Sequence, residues 1–216
     1  MANISDAYGT ISFKFLIINE KFEETNIKDN RTKEEKLAIV QKYCETLTEK
    51  TNLSDYGFSI HAIPTLDNFS EDGNIYNLRL GMSGRWNCRS NFEWLREDGF
   101  LNDELQKLNI IKNLIVEVTY DEAEICCDWL SINNHASITY NDIGIPDVQC
   151  YEGECMDANM KNLIEAGFEN IVENEIECLV DQINEFINEV KISILENDFD
   201  IQDDIDYLLD ACNRFK

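Results

Sequence analysis

The chain of 216 residues carries 43 Asp and Glu against 18 Lys and Arg, a formal net charge of −25. A surface this acidic repels phosphate backbones and anionic lipid, which argues against direct binding of nucleic acid or a membrane surface. The hydrophobic content of 44%, with 11 Phe, 8 Tyr and 3 Trp, is enough for a packed core, and 2 Pro and 9 Gly favour regular elements over linkers.

The first half of the chain reads as strand, helix, strand, strand, helix, strand. In Tyr8–Ile18, Ile11, Phe13 and Phe15 alternate with Ser12 and Lys14, which predicts a strand. Thr32–Thr51 predicts a helix: Thr32 and Glu35 have capping-box spacing, and Leu37, Val40, Tyr43 or Cys44, and Leu47 recur at helical intervals. Tyr56–Ile63 alternates through Phe58 and Ile60 to a stop at Pro64, and Tyr76, Leu78, Leu80 and Met82 predict a third strand running toward Trp86. Ser90 opens a short helix with Phe92 and Leu95, and Asn102–Leu108 adds further helical turns. Asn113–Tyr120 is a fourth strand, with Asp121-Glu122 turning it into a hairpin with Ala123–Leu130.

The expected fold is therefore α+β: a ferredoxin-like βαββαβ antiparallel sheet followed by a C-terminal helical region. The domain reading is 1–134 for the mixed domain, 135–156 for a connecting loop containing Gly144, Pro146 and Gly153, and 157–216 for an acidic helical region. In the last of these, Val172, Ile176, Leu179, Ile183, Phe186, Val190 and Ile194 recur at steps of three and four. That face packs on the sheet or on a final helix (Ile201, Ile205, Leu208 or Leu209, Cys212), or it forms a homodimer seam over Val172–Ile194.

Charge is unevenly placed. Residues 1–60 hold 10 acids and 8 bases, residues 61–156 hold 17 and 6, and residues 157–216 hold 16 and 4. Lys and Arg are absent between Lys112 and Lys161, an interval that includes Glu117, Asp121, Glu122, Glu124, Asp128, Glu152 and Glu154. Further on, Glu169, Glu173, Glu177, Asp181, Glu185 and Glu189 are spaced by four along the long helix. Like charges at i, i+4 cost a few tenths of a kcal/mol each. Solubility alone does not require that cost, whereas carboxylates about 6 Å apart on a rod approach the phosphate spacing of a nucleic-acid strand.

Chemistry motifs are missing. The chain has no Gly-x-Gly-x-x-Gly, Walker loop, His-Glu-x-x-His or Gly-x-Ser-x-Gly, and its 2 His are His61 and His135. The 8 Cys lack zinc spacing, Cys150 and Cys155 being four residues apart and Cys126 and Cys127 adjacent, so they read as free thiols. No enzyme, metal or cofactor is expected. The tract Met82-Ser83-Gly84-Arg85-Trp86-Asn87-Cys88-Arg89, with Arg79 and Arg96, is the place where a small-anion pocket would form, against internal salt bridging as the alternative. Met1–Thr10 is polar and no run reaches the roughly 18 apolar residues of a membrane helix, so a cytoplasmic location is expected.

In composition and charge layout the chain resembles the acidic anti-defence proteins of phages and mobile elements, the anti-CRISPR and anti-restriction proteins that act as DNA mimics. The resemblance covers the whole chain and rests on no matched motif. It implies a non-enzymatic inhibitor that occupies the basic nucleic-acid-binding surface of a defence nuclease or CRISPR effector complex. The candidate partner-binding residues are Glu117, Asp121, Glu122, Glu124, Asp128, Trp129, Glu152, Glu154, Glu173, Glu177, Asp181 and Glu185, with Trp129, Tyr140, Tyr151 and Tyr207 as aromatic anchors. The alternatives are a dimeric scaffold or antitoxin-like module that uses its charge for solubility, and a small-anion binder or enzyme built around Arg79, Arg85, Arg89 and Trp86.

Overall fold

The computed structural model describes residues 4–27, 29–51, 57–60, 62–85, 88–93, 95–96, 100–107, 111–124, 129–196 and 205. The chain divides into two compact units, residues 1–155 and 156–216.

The first unit is α+β. Its strands are β1 (Ile4–Phe15), β2 (Gly57–Ile60), β3 (Ile75–Arg85), β4 (Leu114–Glu124), β5 (Trp129–Tyr140) and β6 (Pro146–Tyr151). They form an antiparallel sheet in the order β2-β3-β1-β4-β5-β6, and β7 (Glu154–Asp157) pairs β5 off that path. Helix α1 (Lys33–Thr51) lies between β1 and β2 in the chain, and α2 (Arg89–Glu93) and α3 (Phe100–Lys107) lie between β3 and β4.

Period-two alternation decides which face of the sheet is buried. Ala7, Ile11, Phe13 and Phe15 of β1, Tyr76, Leu78, Leu80 and Met82 of β3, Leu114, Val116, Val118 and Tyr120 of β4, and Ala136, Ile138 and Tyr140 of β5 all belong to one core. Helix α1 contributes Ile39, Val40, Tyr43, Cys44 and Leu47 to the same cluster. The capping box at its start is formed: Glu35 N–H donates to Thr32 Oγ1 at 3.2 Å, and Thr32 N–H donates to Glu35 Oε2 at 2.7 Å. At the centre Tyr43 meets Phe13 edge-on at 5.3 Å, and its hydroxyl lies 3.0 Å from that of Tyr140. The opposite side of β1, at Asp6, Tyr8 and Thr10, faces solvent.

The sheet is larger than a βαββαβ pattern provides. Asp121-Glu122 do not turn the chain: β4 continues through an irregularity between Tyr120 and Glu122 to Glu124, and the partner strand begins at Trp129. The segment 135–156, expected to be a loop, carries the second half of β5, all of β6 and most of β7. Its breakers punctuate strands. Gly144 has φ +84° in the β5–β6 turn, where Asn141 Oδ1 accepts from the N–H of Ile143 and Ile145, and Pro146 occupies the first position of β6, where a strand tolerates the missing N–H.

The second unit is helical beyond the end of β7. Asn159 caps α4 (Met160–Glu165) by accepting from Asn162 N–H at 3.0 Å. Gly167, at φ +83°, reverses the chain so that Phe168 N–H reaches Leu163 O at 2.8 Å. Helix α5 (Glu169–Glu196) then runs 28 residues, about 42 Å at 1.5 Å per residue. Leu163, Phe168, Ile171 and Val172 are buried at the α4–α5 end. No described helix is long and apolar enough to cross a membrane. The expected final helix lies outside the described residues except for Ile205, which is helical.

Candidate functional site

The acidic residues singled out from sequence fall into three physical situations. On the first unit, Glu117 projects from the outer face of β4 and pairs with Lys14 at 2.6 Å, while Asp121 accepts from Asn133 N–H at 2.7 Å. Glu152 is exposed and bonded to Arg89 at 2.6 Å, and Glu154 is exposed at the start of β7. Trp129 is half-buried at the start of β5, and Asp128 lies outside the described residues.

Glu122 and Glu124 are different. They are 2% and 6% exposed, continuing the core-facing row of β4 beyond Tyr120, so neither presents a carboxylate to a partner. An exposed acidic row through 117–124 is thus broken by the pleat itself. The residues on the core-facing side point inward, and the irregularity after Tyr120 leaves Ala123 buried as well. Glu122 accepts hydrogen bonds from Cys88 N–H and from the Ser5 side chain. Burial pushes its carboxyl up to about 7, against the opposing pull of those hydrogen bonds, and Glu124 adds to the rise. Burial, with Glu122 beside it, drives the Cys88 thiol far above its ordinary range. This cluster ties the entry to α2 onto the end of β4.

On the second unit the acids are at the surface. Glu169, Glu173, Glu177, Asp181 and Glu185 are all exposed on α5, and among the described residues no ion pair holds any of them. Each four-residue step turns the helix by about 40° past a full turn, so the row winds across the polar face instead of running straight along one side. Beside it runs an apolar stripe that is largely uncovered: Ile176, Val180 and Ile187 are 42%, 49% and 43% exposed, and Leu179, Ile183, Phe186 and Val190 are half-buried. Of the proposed aromatic anchors, Tyr151 is exposed, but Tyr140 is fully buried against Tyr43 and Tyr207 lies outside the described residues.

Arg79 is exposed on β3 and is six strand residues, about 20 Å, from Arg85, while Arg89 is engaged with Glu152. Trp86 and the Arg85 side chain lie outside the described residues, as does His61; His135 stacks beside Tyr151 at 5.8 Å. Among the described residues no group of Cys, His, Asp and Glu is placed to hold a metal, and Cys44, Cys88, Cys155 and Cys178 form no disulfide.

One cationic group escaped the sequence reading. Arg31, Lys33 and Lys36 line a cleft between the loop after β1, the first turn of α1 and the turn before β3. The signal was available: three bases within six residues open a helix, where carboxylates are the residues the helix dipole favours.

No protein-family model, curated protein or solved structure matches the chain.

Proposed function

We propose that the protein is a non-catalytic inhibitor whose acidic helix α5 docks in the basic nucleic-acid-binding surface of another protein, of the kind carried by bacterial defence nucleases and CRISPR effector complexes. The observation that carries this reading is the row Glu173, Glu177, Asp181 and Glu185, exposed and without ion-pair partners among the described residues, on a rod about 42 Å long. Its carboxylates take the place of phosphates in the partner's groove. The uncovered Ile176 and Val180 beside them supply the desolvated contact that charge alone does not. Glu117, Asp121, Glu152 and Glu154 extend the field that steers the encounter, while the buried Glu122 and Glu124 do not take part. The same reading takes β2-β3-β1-β4, with α1 and α2–α3 as crossings, for a ferredoxin-like core to which β5, β6 and β7 are added.

The test is the fourfold variant Glu173→Lys, Glu177→Lys, Asp181→Lys, Glu185→Lys. With an unchanged circular-dichroism spectrum it loses capture of nucleic-acid-binding proteins from a bacterial extract; retained capture removes α5 as the docking surface.

A second reading rests on the uncovered stripe itself: α5 pairs with a second copy over Val172–Ile194, and the charge serves solubility. Light scattering separates the two. A dimer that Ile176→Lys and Val180→Lys dissociate supports the second, and a monomer in both forms supports the first.

A further inference from the structure

The cleft bordered by Arg31, Lys33 and Lys36 has a volume of about 560 Å³, within the range of small-molecule sites. Its charges are not equivalent. Arg31 is fully engaged: it grips Asp29 through Nε at 3.0 and 2.9 Å and through Nη2 at 2.7 Å, and it donates to the carbonyls of Lys112 and Asn113 at 3.1 and 2.7 Å. Burial alone would raise the Asp29 carboxyl, but Arg31, with Lys36 beyond it, holds it below its ordinary value. Asp72 is turned onto its own loop, accepting from Ser70 Oγ at 2.6 Å and from Asn74 N–H at 3.1 Å.

Lys33 and Lys36 remain. Lys36 is only 4% exposed, and its ammonium donates to two neutral acceptors, Gly73 O at 3.1 Å and Asn74 Oδ1 at 2.9 Å. An ammonium has three N–H groups, and a buried charge is ordinarily met by an opposite one; among the described residues neither Lys36 nor Lys33 has a carboxylate within ion-pair distance. The two are i, i+3 neighbours on the first turn of α1, where the helix dipole adds positive potential. Gly73 turns the chain at φ +69°, a conformation that favours glycine, and a Cβ there would stand 2.7 Å from Lys33 Cε and displace that side chain. The remaining wall is mixed: Phe15 lies buried under Lys36, Leu16 and the exposed Ile27 give apolar surface, and Glu24, Thr25 and Asn26 are polar. Glu24 is the one acid of the lining whose side chain is exposed and held by no hydrogen bond or ion pair among the described residues.

We propose that this cleft binds a small organic anion, its carboxylate or phosphate held by Lys33 and Lys36 and its apolar part resting on Leu16 and Ile27. The inference is independent of α5, since every residue it uses belongs to the first unit. The test titrates phenyl phosphate, benzoate and inorganic phosphate into the isotope-labelled full chain, following the amide resonances of Lys33, Lys36, Gly73 and Asn74. A phenyl anion gives saturable shifts with a dissociation constant below about 1 mM and binds more tightly than inorganic phosphate; whichever head group is preferred names the anion. Lys33→Gln, an exposed change that leaves folding intact, weakens binding about tenfold, and Glu24→Gln strengthens it. The proposal is overturned if no probe saturates these amides up to about 10 mM, or if Lys33→Gln leaves the affinity unchanged.

Discussion

Glu122→Gln isolates the energetics of one buried carboxylate. The glutamate side chain is 2% exposed, and burial lifts its folded pKa from 4.5 to about 7. Between these values the folded chain keeps a proton that the unfolded chain has released. Stability therefore falls as pH rises through this window, and the full cost is present above about pH 7. At 1.36 kcal/mol per unit the cost comes to about 3 kcal/mol. A glutamine removes that cost while its Oε1 still accepts from Cys88 N–H. Urea unfolding of both proteins, followed by circular dichroism from pH 5 to pH 8, reads the difference directly. The variant should gain on the wild type by about 2–3 kcal/mol across that range, with the gain complete near pH 8. A constant difference from pH 5 to pH 8, or a wild type that gains on the variant as pH rises, would refute the assignment of a buried, proton-holding Glu122.

Other residues of the first unit offer independent tests. Tyr43→Phe or Tyr140→Phe leaves one buried hydroxyl without its 3.0 Å partner and should cost about 1–3 kcal/mol, whereas the double variant should cost less than the sum, as a double-mutant cycle in urea will show. Gly9→Ala places a Cβ 2.0 Å from Thr119 O and 2.8 Å from Tyr120 Cα, both backbone atoms that cannot step aside. It should lower the urea midpoint by an amount equivalent to at least about 2 kcal/mol, and a midpoint unchanged from wild type would contradict the β1–β4 register. Thr32→Ala deletes one half of the capping box and should cost about 1 kcal/mol on the same curves.

The parts of the fold legible in the sequence were those where local pattern and tertiary packing agree. The alternation of Ile11, Phe13 and Phe15, the helical spacing of Val40, Tyr43 and Leu47, and the Thr32–Glu35 box each name a face that the core then uses. The β5–β6 hairpin was not legible because Gly144 and Pro146 carry the composition of a loop, and only cross-strand pairing, such as Ile138 with Val148, shows that they bound strands. Glu122 and Glu124 were misplaced for a related reason: a run of acids reads as surface until the pleat assigns alternate residues to the core, and desolvation is not written in residue type. The α5 acids were legible as a row, but their winding across the helix follows from the mismatch between a step of four and a turn of 3.6 residues. The Lys33–Lys36 cleft needed the turn at Gly73, some 37–40 positions away in sequence, to bring its second wall into place.

Competition for a partner's nucleic-acid groove tests the central claim most directly. A captured nucleic-acid-binding partner is mixed with labelled DNA or RNA and titrated with this protein, at about 0.1 M and again at about 0.5 M salt, where the Debye length shrinks to about 4–5 Å. The account predicts that one equivalent displaces the labelled strand at the lower salt, that affinity falls steeply at the higher, and that the fourfold α5 lysine variant displaces nothing. A partner that holds this protein and its nucleic acid together, or a complex indifferent to both salt and the four reversals, would contradict it.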